Sequence, residues 1–76
     1  MSKMLIGMLW FDKDKITTLE EKIEAAAAHY ENKHGEPADQ CFVNPAHLEK
    51  RINVAGLAVR PSKTVLKNHF WLGKKE

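Results

Sequence analysis

"TLEEKIEAAAAHYENKHGEP", residues 18–37, decides the fold. Thr18 with Glu21 three residues later forms a capping box, and Thr17 with Glu20 offers the same one residue earlier. Leu19, Ile23, Ala26, Ala27 and Tyr30 recur at helical spacing and make one apolar stripe, from which Glu20, Glu24 and Glu31 largely turn away. The alanines at 25–28 favour a helix and let it sit close on a sheet. Lys33 and His34 suit the negative end of the helix dipole, Gly35 is a natural stop, and Pro37 prevents resumption. The stretch predicts one long amphipathic helix over Ile16–His34, which needs an apolar surface to cover.

Both flanks supply one. Met4–Phe11, "MLIGMLWF", is continuously apolar and too short for a helix, so it reads as a central strand with both faces covered. Gly7 weakens that strand and lets a backbone or a ring come close. Cys41-Phe42-Val43, within Gln40–Asn44, is a second short strand. Strand, helix and strand in that order make a βαβ unit, long enough for a right-handed parallel crossover.

Asn44-Pro45 then reads as a helix start, with Ala46–Arg51 giving one or two turns. "INVAGLAVRP", residues 52–61, allows two readings. Ile52–Val54 and Leu57–Arg60 are the arms of a tight hairpin, or one strand bulges at Gly56. Phe70–Gly73 is a final strand. The order is β-α-β-(short α)-β-β-β. It predicts a small two-layer α/β sandwich, with α+β as the alternative: a mixed sheet carrying the long helix on one face. The chain, residues 1–76, is expected to form a single domain.

Composition narrows the function. A chain this short has no room for both a large core and a deep enclosed pocket, which disfavours a self-contained enzyme. Cys41 is the only cysteine, so no intramolecular disulfide and no cysteine zinc cluster can form. A small domain without a disulfide fits a reducing compartment, and Cys41 reads as a buried apolar residue. No run approaches the length of a membrane span, and Asp12-Lys13-Asp14-Lys15 follows the apolar run where a leader would carry small residues. The expectation is a cytoplasmic protein without a membrane partner.

Three groups of residues merit a functional reading. Asp12 and Asp14 follow a strand's carboxyl end, where open sheets bind ligands, and two such carboxylates can hold Mg²⁺ for phosphate chemistry. Lys13 and Lys15 interleave with them, and no third acid is obviously placed to complete a site. The histidines, at 29, 34, 47 and 69, include no i, i+4 pair, and no hydroxyl or thiol stands in a nucleophile context. The glycines are scattered, so no phosphate loop exists. No cofactor and no catalytic set is implied.

The third group lies in "RPSKTVLKNHFWLGKK", residues 60–75. Residues 1–50 carry a net −3 and residues 51–76 a net +5, and that basic segment holds Phe70 and Trp71. Arg60, Lys63, Lys67, His69, Trp71, Lys74 and Lys75 are the candidate partner-binding or nucleic-acid-binding residues, since cations attract phosphates and aromatic faces stack on bases. Strand alternation sends His69, Trp71 and Gly73 one way, Phe70 and Leu72 the other, so at least one ring is core: Phe70 is the core candidate and Trp71 the surface one, or both rings pack and the lysines only keep an edge strand from aggregating. Trp10 or Phe11 must also face away from the helix. An uncovered apolar sheet face marks a partner surface, and self-association through it would add the buried area a small chain lacks.

"LWFDKDK", "VNP" and "VRPSKTVLKNHFWLG" together resemble a short bacterial protein family of unknown function, over most of the chain. The resemblance implies a stand-alone domain and no activity, cofactor or catalytic residue. The leading expectation is a non-enzymatic protein-interaction module, forming a homodimer or binding another protein. Nucleic-acid binding through the basic, aromatic C-terminal region is the alternative, and metal-dependent phosphate chemistry at Asp12 and Asp14 the third.

Overall fold

The structure, a computed structural model, describes residues 4–75, with the side chains of residues 4–6 and 75 outside that description. Five strands and one helix share a core: β1 (Met4–Phe11), α1 (Leu19–His34), β2 (Gln40–Val43), β3 (Ile52–Val54), β4 (Leu57–Pro61) and β5 (His69–Lys75). The sheet order is β1-β5-β2-β4-β3. β2 pairs parallel with β4, β5 runs antiparallel to both β1 and β2, and β3 is antiparallel to β4. The sheet is mixed, and α1 lies on one face of it, over β5 and β3.

Helix α1 ends at His34 as expected but begins at Leu19 rather than Ile16, because the Thr18 capping box sets its start. The Thr18 hydroxyl accepts from the Glu21 amide, and the Glu21 carboxylate accepts from the Thr18 amide. Gly35 closes the helix at φ 79°, a left-handed cap that donates its N–H to the Glu31 carbonyl. Ile23, Ala26 and Tyr30 are its buried stripe. They meet Met8, Cys41, Val43, Leu57, Val59, Phe70 and Leu72 from the sheet.

Ile52–Pro61 is a hairpin rather than a bulged strand. Val54 pairs with Leu57, and the two residues between, Ala55 and Gly56, have φ of 52° and 81°. Positive φ at both central positions is what a type I′ turn requires.

Two expectations fail. β1 is an edge strand, because β5 rather than β1 takes the place beside β2. Phe70 and Leu72 of β5 are almost fully buried, whereas Leu9 and Phe11 of β1 stay 59% and 54% exposed. The unbroken apolar run of β1 therefore does not report burial on both faces. The short helix over Ala46–Arg51 is also absent. Asn44 starts it as expected, its Oδ1 accepting from the Ala46 amide and its carbonyl from the His47 amide, but only a single turn forms. Leu48 drops into the core, while Glu49, Lys50 and Arg51 are all exposed and offer no apolar face to hold a second turn. An unsupported turn does not repay its nucleation cost.

Candidate functional site

Alternation along each strand divides the sheet. Opposite the helix, the outward positions are Gly7, Leu9 and Phe11 of β1, His69, Trp71 and Gly73 of β5, Gln40 and Phe42 of β2, and Ala58 and Arg60 of β4. Pairing aligns four of them in one row across the sheet, Leu9–Trp71–Phe42–Arg60. Phe11 and His69 stand next along, their ring centroids 4.8 Å apart. Among the described residues no other helix or strand lies across this face. The Trp71 ring reaches diagonally to Gly7, so closely that a Cβ there would sit 2.1 Å from a ring carbon. Gly7 is needed for this space: the ring lies against bare backbone.

The segment 62–68 walls one side. It is pinned at four points. The Ser62 amide donates to the Val43 carbonyl at 2.7 Å, and Asn44 Nδ2 to the Val65 carbonyl at 2.8 Å. The Asn68 amide donates to His47 Nε2 at 3.0 Å, and its carbonyl accepts from the Asp12 amide at 2.9 Å. Asn68 holds φ 65°, a left-handed value that Asn tolerates better than most residues. So held, the segment buries Val65 apart from the main core and leaves Leu66 70% exposed. Between wall and sheet lies an open groove of about 460 Å³. Leu9, Phe42, Val65, Leu66 and Trp71 give it an apolar lining; Ser62, Thr64 and His69 are its polar members.

Those polar members are partly engaged already. The Ser62 and Thr64 hydroxyls bond each other at 2.8 Å, and His69 Nδ1 lies 2.9 Å from the Lys67 carbonyl. Arg60 differs: its Nε is buried and meets no acceptor among the described residues. Lys63 and Lys67 are exposed on the wall. Arg60, His69 and Trp71 thus share one face, with Lys63 and Lys67 beside it. Lys74 belongs to the other side, ion-paired with Glu36 beyond the helix end; that carboxylate raises the Lys74 pKa and is itself held low by the lysine. The Lys75 side chain lies outside the described residues.

Asp12 and Asp14 build a turn. Asp12 Oδ1 accepts from the Asp14 amide at 2.9 Å, and Asp14 Oδ1 from the Ile16 amide at 3.1 Å. Asp14 Oδ2 accepts from the Thr17 hydroxyl. That hydroxyl first, then the Ile16 amide, holds the Asp14 carboxyl below its usual range. The pair leads the chain from β1 into the capping box. Among the described residues no three His, Cys, Asp or Glu side chains are grouped to hold a metal ion. A second hollow at this sheet end is lined mainly by Lys13, Lys15, Lys22 and His47, with Asp14 among them.

Trp10 faces the helix, its ring 4.9 Å from that of His29, so Phe11 is the residue that points away. Cys41 is fully buried, and burial pushes its thiol up to about 12, which leaves it inert. Sequence reasoning missed Leu9, Phe42, Val65 and Leu66. The signal for the first pair was alternation, masked by the apolar neighbours that face the core. For Val65 and Leu66 no local pattern existed.

Comparison with protein-family models, curated proteins and solved structures finds no match. The functional reading therefore rests on geometry. No helix among the described residues is long and apolar enough to cross a membrane.

Proposed function

We propose that the protein is a non-enzymatic binding module that engages a protein partner through the open face of its sheet. One observation carries this. Leu9 and Leu66, which line a preformed groove, and Phe11, which stands against His69 of its lining, are each more than half exposed on a face that the helix does not cover. Apolar surface costs free energy in water, and grouped rather than scattered it marks a contact surface. The molecule's longer extents are 31 and 27 Å. The face thus offers on the order of 700 Å², close to one partner's share of a standard interface.

A photo-crosslinking residue placed at Phe11, against one at Glu24 on the exposed side of the helix, tests the reading in cells. Position 11 is expected to give a discrete adduct that Leu66→Glu removes. An adduct of twice the chain's 8.7 kDa would make the partner a second copy. No adduct at 11, or the same adducts from both positions, refutes the reading. Nucleic-acid binding is the second reading, favoured by the three cations Arg60, Lys63 and Lys67 beside Trp71; it predicts affinity that falls steeply with salt.

A further inference from the structure

We infer that the partner, on the reading above, presents an extended acidic segment, with a bulky apolar side chain seated in the groove and a carboxylate on Arg60. Charge argues first. Every ionisable side chain at the outward positions from Gly7 onward, or on the wall, is basic or histidine: Arg60, Lys63, Lys67 and His69. No Asp or Glu stands among them. Two copies stacked face to face would set these cations against each other, so a second copy is a poor occupant. A partner carrying carboxylates meets them with complementary charge.

Arg60 makes the demand specific. Its Nε is a buried donor without an acceptor among the described residues, while the side chain as a whole is only part-buried and carries a full charge on the open face. A planar guanidinium takes a carboxylate through two parallel N–H bonds, which makes Arg60 the cation on this face best suited to one. The groove sets the distance. Arg60 and Leu9 end one cross-strand row, three strand spacings apart. That is about 14 Å, or about four residues of extended chain. An anchor seated at the Leu9 end of the groove therefore lies about four residues from the acid in the ligand.

The lining distinguishes this segment from single-stranded nucleic acid. Leu9, Val65 and Leu66 are aliphatic and suit an apolar side chain, while a base would bring polar edges that need partners. Ser62 and Thr64 bond each other and His69 Nδ1 is taken by the Lys67 carbonyl, so on these three side chains one hydroxyl proton and His69 Nε2 remain to meet those edges.

Fluorescence anisotropy with labelled synthetic peptides tests the inference. The probe carries one Leu or Trp and one Glu about four residues away, in both orders, in a Ser/Gly background. Controls replace Glu by Lys, or make the two residues adjacent; an oligothymidylate is titrated alongside. At least one order of the probe is expected to bind, with each control weaker by about tenfold or more. Arg60→Gln should weaken the probe similarly, with near-UV circular dichroism confirming the fold, and Glu24→Gln should change nothing. Binding of the oligothymidylate in preference to the peptides, equal binding of probe and controls, indifference to Arg60→Gln, or no peptide binding at all overturns the inference. A position-11 adduct in cells together with any of these peptide results leaves the binding face standing and removes only the acidic segment.

Discussion

Gly7→Ala is the sharpest test of how the open face is built. An ideal Cβ at Gly7 falls 2.1 and 2.2 Å from two carbons of the Trp71 ring and 3.0 Å from a third. Ordinary carbon contacts lie near 3.5–4.0 Å, so the ring must retreat by about 1.5 Å or the strands must part. Overpacking of this kind costs about 1–3 kcal/mol, and removing a strand glycine returns about 0.5–1 kcal/mol of chain entropy. The net expectation is a loss of about 1–2 kcal/mol. With a urea slope near 1 kcal/mol/M for so small a domain, the unfolding midpoint should fall by about 1–2 M. The Trp71 indole N–H resonance should move while that of Trp10, on the helix side, stays. In a Trp71→Leu background the same Gly7→Ala change should cost little, because the clash belongs to the ring. An unchanged midpoint with an unmoved Trp71 signal would refute the packing of this ring on Gly7.

Three further outcomes follow from single contacts. Ala55 holds a left-handed φ that an L-alanine resists, so Ala55→Asn should stabilise the type I′ turn by about 1 kcal/mol and raise Tm by about 4–8 °C in a calorimetric scan; no rise would count against this turn. Asn44→Asp turns the donor facing the Val65 carbonyl into an acceptor, at a cost of about 1–3 kcal/mol, and amide exchange should quicken across 62–68 before it does in the helix. Cys41 keeps its proton in the fold to about pH 12, whereas the unfolded thiol loses it near pH 9. Its contribution is therefore complete below about pH 9 and declines above it by up to about 1.4 kcal/mol per pH unit. Urea titrations should show this decline in the native chain in excess of any in Cys41→Ala, and parallel curves would refute it.

The helix was legible because its signals are local. Thr18, Glu21, the stripe from Leu19 to Tyr30 and Gly35 act within a few residues of one another, and each does what its type suggests. The hairpin was legible only as one of two options. Its turn is Ala-Gly where Asn-Gly would have announced it, and the strain at Ala55 is what the local pattern hid. Strand order is a different matter. β5 enters between β1 and β2 from the far end of the chain, and no neighbouring residue encodes that insertion. Parity did carry information about the site. It placed His69 and Trp71 on the face opposite Phe70 and Leu72, and carried one residue further it would have moved Lys74 off the candidate surface, as its pairing with Glu36 shows.

The misreading of β1 and the candidate site share one cause. An edge strand facing water on one side should alternate apolar with polar, and β1 does not: Leu9 and Phe11 stand where polar residues would lower the exposed apolar area. Core packing does not require them, since Met8 and Trp10 supply the helix-facing contacts of that strand. The wall repeats the pattern, Val65 turning inward to cover the sheet while Leu66, its neighbour, stays out. Residues that contribute little to folding and raise the cost of solvation are explicable as contact residues, because burial against a partner recovers what exposure forfeits. Polar substitutions at Leu9, Phe11 and Leu66 would therefore separate binding from stability, whereas substitutions at Trp71 and Phe42, half-buried on the same face, would disturb both.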